Sequence, residues 1–120
     1  MFRTFVALVT LVTLVAVPAF AADYKCNSGR VEKGGSTQYN YKEGSSEIVI
    51  EKGGSTKGKA VKRGSKWYVE VGGSTQATIE NGKIEKGGSS WATASDAQRK
   101  YDCPADVAAT LWVLAEKGQL

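Results

Sequence analysis

The chain has 120 residues, 16 Lys and Arg against 12 Asp and Glu, no His and two Cys. A chain of this length holds one small domain. Without histidine it lacks the commonest general base and metal ligand, so the composition argues against an enzyme and against a metal or other cofactor.

Residues 1–22 read as a cleaved secretory signal. Arg3 precedes an apolar run from Phe5 to Val17, and Ala19-Phe20-Ala21-Ala22 offers small residues to a signal peptidase. Cleavage after Ala22 leaves 120 − 22 = 98 residues; losing Arg3 leaves 15 basic and 12 acidic residues, a net charge of +3. No later apolar run is long enough to span a bilayer, so the expected location is secreted or periplasmic.

Residues 23–94 read as an antiparallel meander of hairpins. Gly-Gly occurs at Gly34-Gly35, Gly53-Gly54, Gly72-Gly73 and Gly87-Gly88, each time before Ser-Thr or Ser-Ser. Glu43-Gly44, Arg63-Gly64 and Asn81-Gly82 fall between them. Such dipeptides suit two-residue hairpin turns, which need positive φ. The strands predicted between them are 24–26, 30–33, 36–42, 45–52, 55–62, 65–71, 74–80, 83–86 and 89–94.

If every turn pairs its flanking residues, register can be carried from strand to strand. That places Tyr39, Tyr41, Ile48, Ile50, Val61, Tyr68, Ala77, Ile79, Ile84 and Trp91 on a core face. Gln38, Asn40, Glu47, Glu51, Thr78 and Glu85 fall on the other face, together with Val49, Trp67, Val69 and Val71. Lys57 and Lys59 also land on the core face. Either a bulge at Gly58 shifts the strand by one residue and turns part of it outward, or they lie at a rim and snorkel.

Residues 95–120 read as a helical segment packed on the sheet. Ser95 and Gln98 form a candidate capping box, and Pro104 suits the first turn of a second helix. Val107, Ala108, Leu111, Leu114 and Ala115 recur at helical spacing, with Gly118 as the stop. This helix is expected to cover either the Trp67/Val69 patch or an open end of the sheet. Cys26 and Cys103 are expected to form a disulfide, which removes them as zinc or copper ligands.

The fold class expected is mainly β: an up-and-down meander of about eight or nine short strands with a short C-terminal helical segment. The sheet is read as a small barrel or a curled sheet. The Gly-Gly units recur at 19, 19 and 15 residues, a period that a stacked, curli-like repeat also fits.

No Gly-x-Ser-x-Gly, P-loop or dinucleotide motif is present. The notable surface feature is basic. Lys52, Lys57, Lys59, Lys62, Arg63 and Lys66 occur with no acidic residue among them, and Trp67 and Tyr68 follow. This hairpin is the candidate site for an anionic envelope polymer or an acidic protein. A second candidate is the turn rim, where Lys33, Lys52 and Lys86 gather with the serines and threonines after each Gly-Gly.

Tyr24-Lys25-Cys26-Asn27-Ser28-Gly29, opening an exported β-chain with a distant Cys103, resembles the small bacterial lysozyme-inhibitor barrels. The resemblance covers that opening and the disulfide, and it implies a small barrel that inhibits an enzyme. The function expected from the residues is an exported, non-enzymatic binding module. The alternatives are a structural or adhesive surface repeat and an inhibitor of that barrel type.

Overall fold

The computed structural model describes residues 22–120, so the expected signal lies outside the described residues apart from Ala22. Nine strands follow in order: β1 (Tyr24–Asn27), β2 (Arg30–Lys33), β3 (Ser36–Glu43), β4 (Glu47–Lys52), β5 (Ser55–Arg63), β6 (Lys66–Val71), β7 (Ser74–Glu80), β8 (Lys83–Lys86) and β9 (Ser89–Thr93). Helix α1 (Ala94–Lys100), a short strand β10 (Tyr101–Asp102) and helix α2 (Ala105–Glu116) complete the chain. The sheet runs β10-β1-β2-β3-β4-β5-β6-β7-β8-β9, antiparallel except where β10 lies parallel to β1. It is an open sheet with β9 and β10 at its edges, not the closed barrel that was one of the expected forms.

The Gly-Gly turns have both glycines at positive φ, as at Gly53 (59°) and Gly54 (83°). That is the turn whose twist matches a right-handed hairpin. Each of these hairpins carries a register shift. In β4–β5, Glu51 pairs with Thr56 and Ile50 with Gly58, which leaves Lys57 unpaired. Gln38, Gln76 and Trp91 are skipped in the same way in β2–β3, β6–β7 and β8–β9. The hairpins between them carry no register shift, but two of their turns differ from those expected: Glu43 pairs with Ile48 across a longer loop in which Gly44 N donates to Glu47 O, and Arg63 pairs with Lys66 across Gly64-Ser65.

The bulges correct the expected faces. Past Lys57, Gly58 and Ala60 point inward, and Ala60 pairs with Ile48 and with Val69. Trp67, Val69 and Val71 therefore belong to the core face, while Val61 and Tyr68 face outward. The bulge at Gln76 cancels the one at Lys57 in parity. Ala77, Ile79 and Ile84 are buried where the regular register had put them. Lys59 is turned outward, where it meets Glu47, and Lys57 is the residue left unpaired, so the bulge falls one place before the expected Gly58.

Helix α2 lies on the core face, against β4, β5, β6, β7 and β10. Its Val107, Ala108, Leu111, Val113 and Leu114 are fully buried, as are Ile48, Ile50 and Val69 beneath them. So α2 lies over the strand that carries Trp67 and Val69, one of the two expected positions, and there these residues belong to the main core rather than to a second face. Gly118 N donates to Ala115 O and Gln119 N to Leu114 O, with Gly118 at positive φ, and this closes the helix. The cap of α1 is Thr93, not Ser95. The Thr93 hydroxyl accepts from Asp96 N at 3.1 Å, and the Asp96 carboxylate accepts from Thr93 N at 3.1 Å. Pro104 stands one place earlier than expected, as the N-cap of α2. Cys26 and Cys103 form a disulfide that ties β1 to the turn before α2.

Candidate anion-binding surface

The repeated Glu-Lys-Gly-Gly-Ser-Thr segment sorts charge between the faces. In a two-residue hairpin, the residues flanking the turn pair, and neighbours along a strand point oppositely. Lys33 pairs with Ser36, Lys52 with Ser55 and Lys86 with Ser89, all on the helix-bearing face. Glu32 pairs with Thr37, Glu51 with Thr56, Glu70 with Thr75 and Glu85 with Ser90, on the outer face. The third unit has Val71 in the lysine position, opposite Ser74.

The outer face balances itself. Arg30 meets Glu32 at 3.5 Å, Lys42 meets Glu51 at 3.9 Å, Lys59 meets Glu47 at 3.6 Å and Arg63 meets Glu70 at 3.4 Å. Pairs this exposed stabilise by at most about 1 kcal/mol, but each cancels local potential. The lysines of the helix-bearing rim have aromatic neighbours instead. Lys33 sits 5.3 Å from the Tyr24 ring centroid, Lys52 sits 5.7 Å from Tyr39, and Lys86 sits 5.0 Å from Trp91. Among the described residues, no carboxylate lies within bridging distance of these three lysines. The strand carboxylate on their face, Glu43, is at the far end, opposite Ile48.

Two of these rings belong to a tyrosine cluster. Tyr24 stacks on Tyr101 at 4.9 Å and on Tyr39 at 6.1 Å. Burial, then the nearby Tyr24 and Tyr39, then Glu116 and Asp23, push the Tyr101 phenol far above its ordinary value. Burial and then Tyr24 raise Tyr39 as well. At the C-terminal end of α2, the adjacent Lys86 ammonium holds Lys117 below the usual lysine range, by direct contact and by charge.

The eight residues of the expected basic hairpin are not one surface. Lys52 is on the rim, on the helix-bearing face, whereas Lys57 is the unpaired bulge residue of the same hairpin. Lys59 is engaged by Glu47. Lys62 lies at the far end of β5, 5.8 Å from the Trp67 ring. Arg63 and Lys66 pair with each other at that far turn on the outer face. Trp67 is buried in the core and cannot stack on a ligand. Tyr68 faces outward, half-buried, with Arg63 over its ring at 5.2 Å. Sequence proximity made a patch that strand alternation takes apart.

Two clefts of about 360 and 350 Å³ lie beside the bulges at Lys57 and Gln76, and both open to solvent. Among the described residues there is no group of three or more His, Cys, Asp and Glu arranged to hold a metal, and no helix long and apolar enough to cross a membrane. Comparison with protein families, curated proteins and solved structures returns no match to the chain.

Proposed function

We propose that the protein is an exported, non-enzymatic binding module that engages an anionic polymer of the cell envelope through the lysine rim of its helix-bearing face. The observation that carries this reading is the partition of charge. Lys33, Lys52 and Lys86 stand over aromatic rings without carboxylate partners, while four of the outer-face cations are bridged. The disulfide agrees with an oxidising compartment, and the apolar segment at residues 5–17 with export.

The test is binding to an anionic polysaccharide such as heparin across a salt series. Lys33→Gln/Lys52→Gln/Lys86→Gln should weaken binding and reduce the slope of log K against log salt by up to about 3. Lys57→Glu/Lys59→Glu/Lys62→Glu should matter less, because those residues point in different directions. Binding indifferent to the rim variant would overturn the assignment. A second reading, a structural or adhesive surface protein, draws on the open sheet with β9 and β10 at its edges. Salt-insensitive self-assembly would favour it.

A further inference from the structure

The four Gly-Gly hairpins set one row of side chains along the end of the sheet. Lys33 pairs with Ser36, Lys52 with Ser55, Val71 with Ser74 and Lys86 with Ser89, all on the helix-bearing face. In strand order from β2 to β9 the row reads Lys, Ser, Lys, Ser, Val, Ser, Lys, Ser. Its lysines and serines are all exposed, and Val71 is half-buried. Cationic places therefore fall on every second strand, one of them held by Val71, and a neutral hydroxyl stands on each strand between.

Spacing decides which polyanion keeps step with this row. Neighbouring strands lie about 4.8 Å apart, so the cationic places recur at about 9.6 Å along the sheet. An extended peptide with acidic residues on one side repeats its charge at about 6.7 Å, out of step with that period. Duplex DNA offers a phosphate about every 3.4 Å along each strand, far denser than the row. A pyranose in an extended glycan advances by about the spacing between neighbouring strands. A glycan then matches the row when charged and neutral sugars alternate. With a carboxylate on every sugar, every second carboxylate would stand over a serine.

The clefts repeat with the same period. One lies between β5 and β6, whose ladder stops at Lys59 and Glu70, and the other between β7 and β8, whose ladder stops at Thr78 and Glu85. Thr56, Lys57 and Glu70 line the first, and Thr75, Gln76 and Glu85 hold the same places in the second. The next Gly-Gly turn walls each cleft, so both stand at the end of the sheet that carries the row. Their hydroxyl, amide and carboxylate groups are hydrogen-bonding partners for sugar hydroxyls. We propose that the row binds a linear glycan in which an acidic sugar alternates with a neutral one, the acidic sugars over Lys33, Lys52 and Lys86 and the neutral sugars over the serines. The inference rests on the reading of the rim as anion-binding, and it names the polymer.

Calorimetric titration of the full mature chain tests this with fragments of hyaluronan, which carries a carboxylate on every second sugar, and of polygalacturonate, which carries one on every sugar. Fragments are matched in carboxylate number. Hyaluronan should bind at least about tenfold more tightly. Two variants then add the same charge on either side of one turn. Val71→Lys completes the cationic places and should tighten hyaluronan binding by about three- to tenfold, with the slope of log K against log salt rising by about 1. Ser74→Lys, at an exposed position, puts the charge out of step. It should leave hyaluronan binding within about twofold of the parent while tightening polygalacturonate binding. Equal affinity of the parent for the two polymers, or equal gains in hyaluronan binding from the two variants, would overturn the proposal. If heparin binding still falls in Lys33→Gln/Lys52→Gln/Lys86→Gln, the rim reading stands without it; if heparin binding is indifferent to that variant, both fall.

Discussion

Gly58 is the point where helix meets sheet, and replacing it with alanine tests the packing directly. Gly58 does not have a positive φ, so the backbone itself accepts a side chain. Space is what it lacks. A Cβ there would stand 2.5 Å from Leu114 Cδ2, 3.0 Å from Leu114 Cδ1 and 3.1 Å from the Glu70 carbonyl oxygen. Leu114 is fully buried, so its methyls have nowhere open to go. Overpacking of this kind costs about 1–3 kcal/mol. Alanine in place of glycine in a strand returns about 0.5–1 kcal/mol. Gly58→Ala should therefore destabilise by about 1–2 kcal/mol, measured by urea unfolding, and lower the melting temperature by about 4–8 °C for each kcal/mol. A double-mutant cycle isolates the cause. Leu114→Ala alone should cost about 2–5 kcal/mol. In that background the clashing methyls are gone and Gly58→Ala should cost about 1 kcal/mol less than in the parent. Gly44→Ala is the control: it lacks positive φ, and its nearest neighbour would be the Glu47 carbonyl at 3.5 Å. It should be neutral or stabilise by about 0.4–1 kcal/mol. A neutral Gly58→Ala, or an equal cost in both backgrounds, would refute the account of α2 seated on a side-chain-free strip of β5.

Other expectations follow from the caps, the disulfide and the buried phenol. Cys26 and Cys103 are 77 residues apart, so in the chain-entropy model their bond stabilises by about 4.5 kcal/mol; urea midpoints should fall sharply on reduction or in Cys26→Ser/Cys103→Ser. Thr93→Ala removes the capping box of α1 and should cost about 1 kcal/mol, with faster amide exchange at Asp96 and Ala97, while Thr93→Ser stays near the parent. The Tyr101 phenol is raised above its unfolded value of 10.0, so the folded state holds the proton more tightly. Its contribution is fully present below that pH and is lost as pH rises through it towards the folded value. Urea midpoints should decline from about pH 9 to pH 11, and Tyr101→Phe should flatten that decline.

The strands and turns were legible because Gly-Gly and Asn-Gly are demanded by positive φ, and alternation marks the strands between them. The Cys26–Cys103 bond was legible because the two cysteines had no competing partner. The faces were not, because a bulge leaves no residue signature of its own: the skipped positions hold Gln, Lys, Gln and Trp. The one clue was Lys57 and Lys59 falling on the core face. β10 escaped notice because two residues paired in parallel with β1 carry no periodicity. The basic hairpin was misleading for a related reason. Its residues are contiguous in sequence, yet a nine-residue strand separates its ends and alternation separates its faces. The rim lysines Lys33, Lys52 and Lys86 are distant in sequence and adjacent only through the meander.

The bulges connect the coiling of the sheet to the sorting of its charge. All four lie in the Gly-Gly hairpins, three residues after the second glycine of each turn, so they accumulate at one end of the sheet. A bulge adds local right-handed twist. The Gly-Gly end therefore coils more than the other end. The C-terminal half of α2 lies there, with Leu114 over Gly58. Parity explains why the device is needed. In a regular hairpin with Lys52 on the helix-bearing face, Thr56 would face out, Lys57 in, Gly58 out and Lys59 in. Two ammonium groups would then lie beneath a fully buried leucine, at a desolvation cost of several kcal/mol each. Skipping Lys57 lets the same unit place Lys52 inward at the rim and Gly58 inward under the helix, while Lys59 faces outward and Lys57 is left out of the ladder. A lysine-edged face and an apolar core are thus compatible in one Glu-Lys-Gly-Gly-Ser-Thr repeat only because the register slips once after each turn.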